Sequence, residues 1–172
     1  MLQRTRAEQV LPVYLRFTEK YQTPNDVFME KSEYLYSLLG KLGLKWRAKK
    51  IIELSSALSK QQIPVTLEDL VKLPGVGLYA ASAFLCFHRN TRIGIIDTNA
   101  IRLWTRLFNI KNNDTLRRKK GFIEFVEELT PENNFCLFNF AILDFTRIIC
   151  RKKPVCNTCP LNSLCDYYMS IN

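Results

Sequence analysis

Leu73-Pro74-Gly75-Val76-Gly77-Leu78-Tyr79-Ala80 is the stretch on which the reading of this chain turns. Two glycines two residues apart let the backbone turn sharply and leave its N–H groups open. Apolar residues at helical spacing follow at once, so the turn runs straight into the N–H-rich, positive end of a helix. Such a corner can hold a phosphate without any charged side chain. It differs from the dinucleotide-binding fingerprint, which needs a preceding strand and a third glycine. Taken alone, a Gly-x-Gly corner is also consistent with a plain turn.

Outward from the corner, the periodicity is helical almost throughout. Val10, Val13, Tyr14 and Phe17 form one apolar stripe, and Ile51, Ile52, Leu54, Ala57 and Leu58 form another. Leu35, Leu38 and Leu39 mark a short helix that Gly40 and Gly43 terminate. Thr66 followed by Asp69 resembles a capping box opening a short helix through Leu70 and Leu73. Further helices are predicted over about 78–88, 98–108, 121–129 and 135–149. Ile93 to Ile96 is the one strand-like run, too short and isolated to build a sheet. The predicted fold class is all-α.

The 172 residues suffice for one domain or two small lobes, and a 47% hydrophobic content predicts a folded globule. The formal net charge of +9 favours a polyanionic partner, because phosphate contacts release counterions. Arg117 to Lys120 and Arg151 to Lys153 are the two basic runs. The charged amphipathic start does not resemble a signal peptide, and no apolar run approaches the roughly 20 residues of a membrane span. An intracellular, cytoplasmic location without membrane attachment is therefore expected. Persistent disulfides are unusual there, so the six cysteines need another explanation.

Four of them form Cys150-x5-Cys156-x2-Cys159-x5-Cys165. Four thiolates in so short a stretch suit one metal centre, and all-sulfur ligation leaves zinc and an iron–sulfur cluster both open. Zinc ribbons use two Cys-x2-Cys knuckles, and only one occurs here. Cys86 and Cys136 fall in apolar helical surroundings and read as core. His88, the single histidine, reads as a helix-end residue. Asp97 directly precedes a helical stretch and suits an N-cap.

The eight residues from Leu73 resemble the helix–hairpin–helix of the base-excision DNA glycosylases related to endonuclease III. Eighteen residues past Tyr79, Ile95-Ile96-Asp97-Thr98-Asn99-Ala100-Ile101-Arg102 resembles that family's Asp-bearing segment. The cysteine run resembles its 4Fe–4S loop, with five rather than the usual six residues between the first two cysteines. The resemblance extends from Leu2 to Tyr168.

This likeness implies two helical lobes with DNA between them. Residues 1–91 would form a helical bundle ending in the hairpin, and 92–172 the lobe with the catalytic aspartate and the cluster loop. The hairpin residues Gly75, Val76 and Gly77 would hold a DNA phosphate, in the family commonly with a bound monovalent cation. Gln3 aligns with a polar wedge filling the hole left by a flipped nucleotide, and Arg151, Lys152 and Lys153 would face phosphate. Cys150, Cys156, Cys159 and Cys165 would hold the 4Fe–4S cluster in a structural role. Asp97 is the family's position for the carboxylate that stabilises positive charge on the sugar. The partner would be double-stranded DNA with a mismatched or damaged base, bound by a monomer.

Tyr79 sets the subclass. A lysine there attacks the sugar and nicks the strand in the family's lyases, whereas a phenol cannot form that imine. Tyrosine at this position looks most like the archaeal thymine–guanine mismatch glycosylases. The resemblance thus implies a monofunctional enzyme acting on thymine or uracil opposite guanine. Relatives carry one or two helices upstream of Met1. No counterpart of the adenine glycosylases' catalytic glutamate or oxidised-guanine-reading domain is expected. An adenine glycosylase, a bifunctional lyase and a non-catalytic DNA-binding module are the alternatives.

Overall fold

The computed structural model describes residues 5–30, 32–43, 45–113 and 115–171. Ten α-helices are described, with no strand among the described residues. They are α1 (Ala7–Lys20), α2 (Pro24–Met29), α3 (Ser32–Gly40), α4 (Lys45–Leu58), α5 (Leu67–Leu70), α6 (Leu78–Arg89), α7 (Thr98–Leu107), α8 (Lys120–Leu129), α9 (Phe135–Ile148) and α10 (Asp166–Ile171). The all-α expectation holds. The chain packs as two compact units, Met1–Gly77 and Leu78–Asn172. The sequence reading drew its lobe boundary after residue 91 instead. The difference is α6, whose Ala81, Leu85 and Cys86 are buried and which packs against α9.

The first unit buries Val10, Val13, Val27, Leu35, Leu38, Leu39 and Leu42 around the inner faces of α1 to α4. Tyr14, predicted to share the α1 stripe, is half exposed instead, because Val10 and Val13 alone face inward with Phe17 beside them. Helix α2 went unread in the sequence although its start signal is complete. Thr23 Oγ1 accepts from Asp26 N–H, the Asp26 carboxylate accepts from Thr23 N–H at 2.7 Å, and Pro24 sits at the first helical position. Thr66 caps α5 as expected, but that helix stops at Leu70 rather than continuing to Leu73.

In the second unit, the strand-like run 93–96 is extended, buried and without a partner strand among the described residues. Two of its backbone groups pair with one side chain. Asn139 on α9, 3% exposed, accepts from Ile95 N–H at 3.0 Å and donates to Ile93 C=O at 2.9 Å. The primary amide thus supplies the donor and acceptor that a neighbouring strand would. Gly94 lets the segment press onto α8: a Cβ there would lie 2.8 Å from Val126 Cγ1 and 3.0 Å from Thr130 Oγ1. Arg92 fixes the entry to this segment by donating to the carbonyls of Glu127, Thr130 and Pro131 at the end of α8.

Replacing Asn139 by alanine would strand a buried N–H and a buried carbonyl together. We expect a stability loss of roughly 2–4 kcal/mol in denaturant unfolding. A loss below about 1 kcal/mol would show that other groups take over both bonds.

Candidate active site and cysteine-rich tail

Gly75 adopts φ +76°, a region costly for residues with a Cβ, and a Cβ there would also lie 3.0 Å from Lys50 Cβ on α4. Val76 N–H closes the corner on Leu73 C=O at 3.1 Å. The N–H groups of Gly75 and Gly77 find no backbone acceptor among the described residues. Gly77 is different from Gly75, because a Cβ there would meet nothing within 4 Å among the described residues. No internal contact requires that position to be glycine.

The extended segment held by Asn139 delivers Asp97 to the first turn of α7. There Asp97 is the N-cap: Oδ1 accepts from Asn99 N–H at 3.0 Å and Ala100 N–H at 2.6 Å. Oδ2 accepts from the Asn99 side-chain amide at 2.8 Å. Tyr79, in the first turn of α6, is 39% exposed, so a substrate can reach it. Burial pushes its phenol above the ordinary value, and the negative charge of Asp97 pushes it further the same way. The charge of Asp97 is thus felt at Tyr79, and both residues belong to the second unit.

Sequence reading missed the residues that anchor Asp97. Asn99 Oδ1 accepts from Arg102 Nη1 at 2.9 Å. Arg102 also donates through Nε to Cys150 C=O at 2.9 Å and through Nη2 to Thr146 C=O at 3.0 Å. A chain of hydrogen bonds thus runs from the Asp97 carboxylate to the first cysteine of the tail. The available signal was spacing: Asn99, Arg102 and Arg106 lie three and four residues apart, which is one face of a helix.

The tail folds back on α7. Arg106 Nη1 reaches Cys150 Sγ at 3.6 Å and donates to Arg151 C=O at 2.8 Å, while Nη2 donates to Lys152 C=O at 3.0 Å. Its guanidinium also lies 4.9 Å from the centroid of the Tyr167 ring. Cys150, Cys156, Cys159 and Cys165 all line one cavity, whose other walls include Leu103, Phe145, Val155 and Leu161. Burial pushes the Cys156 thiol up, the other three cysteines push it further, and Arg106 opposes them. Among the described residues, no three cysteine, histidine or acidic side chains converge as one bare metal ion requires. The side chains of Arg151, Lys152 and Lys153 are exposed. Gln3 lies outside the described residues. His88 sits exposed in the last turn of α6, stacked on Phe84.

Residues 1–128 match the HhH-GPD superfamily of base excision DNA repair proteins, and the chain belongs to that family. It is 32% identical over 180 residues to a thymine-DNA glycosylase of Aeropyrum pernix, covering 98% of this chain and 79% of the relative. It is 30% identical over 174 residues to an adenine DNA glycosylase of Buchnera aphidicola, covering 99% of this chain but 49% of that one. A solved thermostable thymine-DNA glycosylase superposes with a TM-score of 0.91 at 29% identity, covering 98% of this chain and 80% of that one.

The influence of Asp97 on Tyr79 has a spectroscopic consequence. Because folding raises the Tyr79 value, the unfolded chain gives up this proton first as pH climbs past 10.0. Tyr79 therefore contributes stability that is lost as pH rises toward its folded value. In Asp97→Asn the charge is gone, so Tyr79 should ionise at lower pH than in the wild type. It should remain above the ordinary value, since burial is the larger cause. Tyrosinate absorbance, with Tyr79→Phe as the blank, reads this directly; an unchanged titration would mean the two side chains do not interact.

Proposed function

We propose that this chain is a monofunctional DNA glycosylase of base excision repair, hydrolysing the N-glycosidic bond of thymine or uracil opposite guanine. The observation that carries the reading is Asp97, fixed at the start of α7 by hydrogen bonds, with its charge felt at the half-exposed phenol of Tyr79. Cleavage of the bond places positive charge on the sugar as the base leaves, and a fixed carboxylate stabilises that charge without having to reorganise. Asp97 is fixed by three hydrogen bonds. Oδ2, which accepts one of them, keeps lone-pair capacity for a water or the sugar. Tyr79 offers a protonated phenol, a hydrogen-bond donor that cannot form an imine. Water is then the nucleophile, and the strand is left unbroken.

The target nucleotide must leave the duplex to reach these groups, and a mismatched pair costs least to open. The Gly75 and Gly77 N–H groups would hold a phosphate, and the open space at the Gly77 Cα fits a ligand rather than a wall of protein. Preference for thymine or uracil is supported by the thymine-DNA glycosylase of Aeropyrum pernix and a thymine/uracil-DNA glycosylase of Methanothermobacter thermautotrophicus, 29% identical over 98% of this chain.

The tail fits a 4Fe–4S cluster. Its four donors are all thiols around one largely apolar cavity, with a guanidinium near Cys150 to offset negative charge. In such a cluster each iron takes one thiolate, so the sulfurs surround a space instead of meeting at a point. When bound, the cluster supplies a staple for the tail. Arg106 orients the loop so that Arg151, Lys152 and Lys153 are presented outward toward phosphate.

Duplexes carrying T·G, U·G, A opposite oxidised guanine or an oxidised pyrimidine, assayed with and without alkali, test the reading. Product from T·G or U·G only after alkali is expected. Nicking without alkali would overturn the hydrolytic role of Tyr79, and product from adenine alone would favour the adenine glycosylase. Product from none would leave a DNA-binding module.

Asp97→Asn should lower single-turnover cleavage on the order of 100-fold or more. Asparagine keeps the N-cap but turns an amide toward the Asn99 amide, so a stability loss of about 1 kcal/mol is expected, too small to unfold the protein. Gly77→Ala should melt like the wild type yet bind the duplex about tenfold more weakly, as expected for one lost charge-assisted bond. Tight binding with normal stability would remove Gly77 from the DNA site. Cys159→Ser should cost the purified protein its brown colour and iron; a retained chromophore would exclude Cys159 as a ligand.

A further inference from the structure

The two cysteines that the tail does not use lie against each other. Cys86 on α6 and Cys136 on α9 have their sulfurs 3.4 Å apart. A disulfide needs about 2.05 Å, so the two sulfurs, already in contact, have only about 1.4 Å further to approach. Hydrogen bonds hold both groups in this attitude. The Cys86 thiol donates to Cys136 Sγ, the Cys136 thiol donates to Cys86 C=O at 2.9 Å, and Asn139 Nδ2 donates to Cys86 Sγ at 3.4 Å. The pair is unequal: Cys86 is fully buried and Cys136 only half-buried. A small oxidant arriving from solvent therefore meets Cys136 first.

We propose that Cys136 and Cys86 form a peroxide-reactive pair, with Cys136 the site of oxidation and Cys86 the thiol that resolves it. The Cys136 thiolate attacks one oxygen of hydrogen peroxide or an organic hydroperoxide. The O–O bond breaks, water or the alcohol departs with the proton, and Cys136 becomes a sulfenic acid. The Cys86 sulfur then attacks the Cys136 sulfur. The S–O bond breaks, and the leaving hydroxide takes the Cys86 proton and departs as water. In total two thiols lose two electrons and two protons, and one peroxide becomes two molecules of water, or one of water and one of alcohol. Burial and the neighbouring Cys136 push the Cys86 thiol up to about 11, so at neutral pH it waits as a thiol. Its contact with Cys136 supplies the effective concentration that its low thiolate fraction lacks.

The bond would join α6, which carries Tyr79 in its first turn, to α9, which leads into Cys150. It would also stop Cys136 at a reversible stage, before the sulfinic acid. None of this depends on which base the enzyme removes.

Trypsin separates the cysteines cleanly: Leu73–Arg89 carries only Cys86, Gly121–Arg147 carries only Cys136, and the tail cysteines fall on other peptides. The holoprotein is treated with a small excess of hydrogen peroxide, its free thiols are blocked, and the digest is mapped by mass. The expected product is these two peptides joined, lighter by two hydrogens than their sum and separated again by a thiol reductant. The oxidised protein should melt about 10 °C higher, as closing a loop of this length predicts. In Cys86→Ser the same treatment should drive Cys136 to the sulfinic acid. Cys136 left reduced, joined to a tail cysteine, or over-oxidised equally fast in both proteins would overturn the proposal. The wild-type map decides this even if the variant does not fold.

Discussion

A buried extended segment with no sheet around it poses a backbone problem. Its N–H and C=O groups have left water and must be paired, yet no neighbouring strand among the described residues supplies partners. One residue answers for two of these groups. The amide of Asn139 takes the Ile95 N–H and gives to the Ile93 carbonyl, at 3.0 and 2.9 Å. Gly94 then allows the segment to lie flush against Val126 and Thr130. These contacts fix the path of the chain from Arg92 to Asp97, and the start of α7 follows from them. The carboxylate's position is therefore a consequence of core packing, not of a mobile loop.

Two arginines extend this order into the tail. A 16-residue stretch with only short helical turns has little apolar surface with which to bury itself. Arg102 and Arg106, one helical turn apart on α7, answer that by donating to the carbonyls of Cys150, Arg151 and Lys152. Hydrogen bonds from a charged donor are stronger than neutral ones, and here they join groups far apart in sequence. Since Arg102 also holds Asn99, hydrogen bonds through two side chains link Cys150 to Asp97. The cysteine-rich tail and the candidate catalytic carboxylate are in this sense one construction.

How much of this was legible in the sequence depended on whether the signal was local. Helix periodicity, the Thr66 cap and the Asp97 cap are decided within a few residues, and the structure agrees with each. Tyr79 and Asp97 were picked out by a shared motif register, which carried information that spacing alone lacks. Asn139 was invisible because an asparagine inside an apolar helix looks like a defect until its partners, 44 and 46 residues away, are known. Tyr14 failed for the opposite reason. It keeps helical spacing with Val10 and Val13, yet a stripe defined by period alone is wider than the contact α3 makes with α1. Cys86 and Cys136 both read as core; Cys86 is buried but Cys136 only half-buried, and their contact joins two helices and leaves no mark in either.

The opening corner of the sequence and the Asp97 cap illustrate how fold and chemistry share residues without conflict. At the corner the two glycines divide the work. Gly75 serves the chain, through its positive φ and the lack of room for a Cβ beside Lys50, while nothing among the described residues would crowd a Cβ at Gly77. At Asp97 the division is between oxygens. Oδ1 is committed to two backbone N–H groups and holds the helix, while Oδ2 has one amide partner and remains open to a substrate. An aspartate that only capped the helix would not need a second oxygen held by Asn99, nor Asn99 held by Arg102. The extra ties cost rotamer freedom and add nothing to capping. They make sense if the second oxygen must be found in one place when charge develops on the sugar, which is what hydrolysis of the N-glycosidic bond requires.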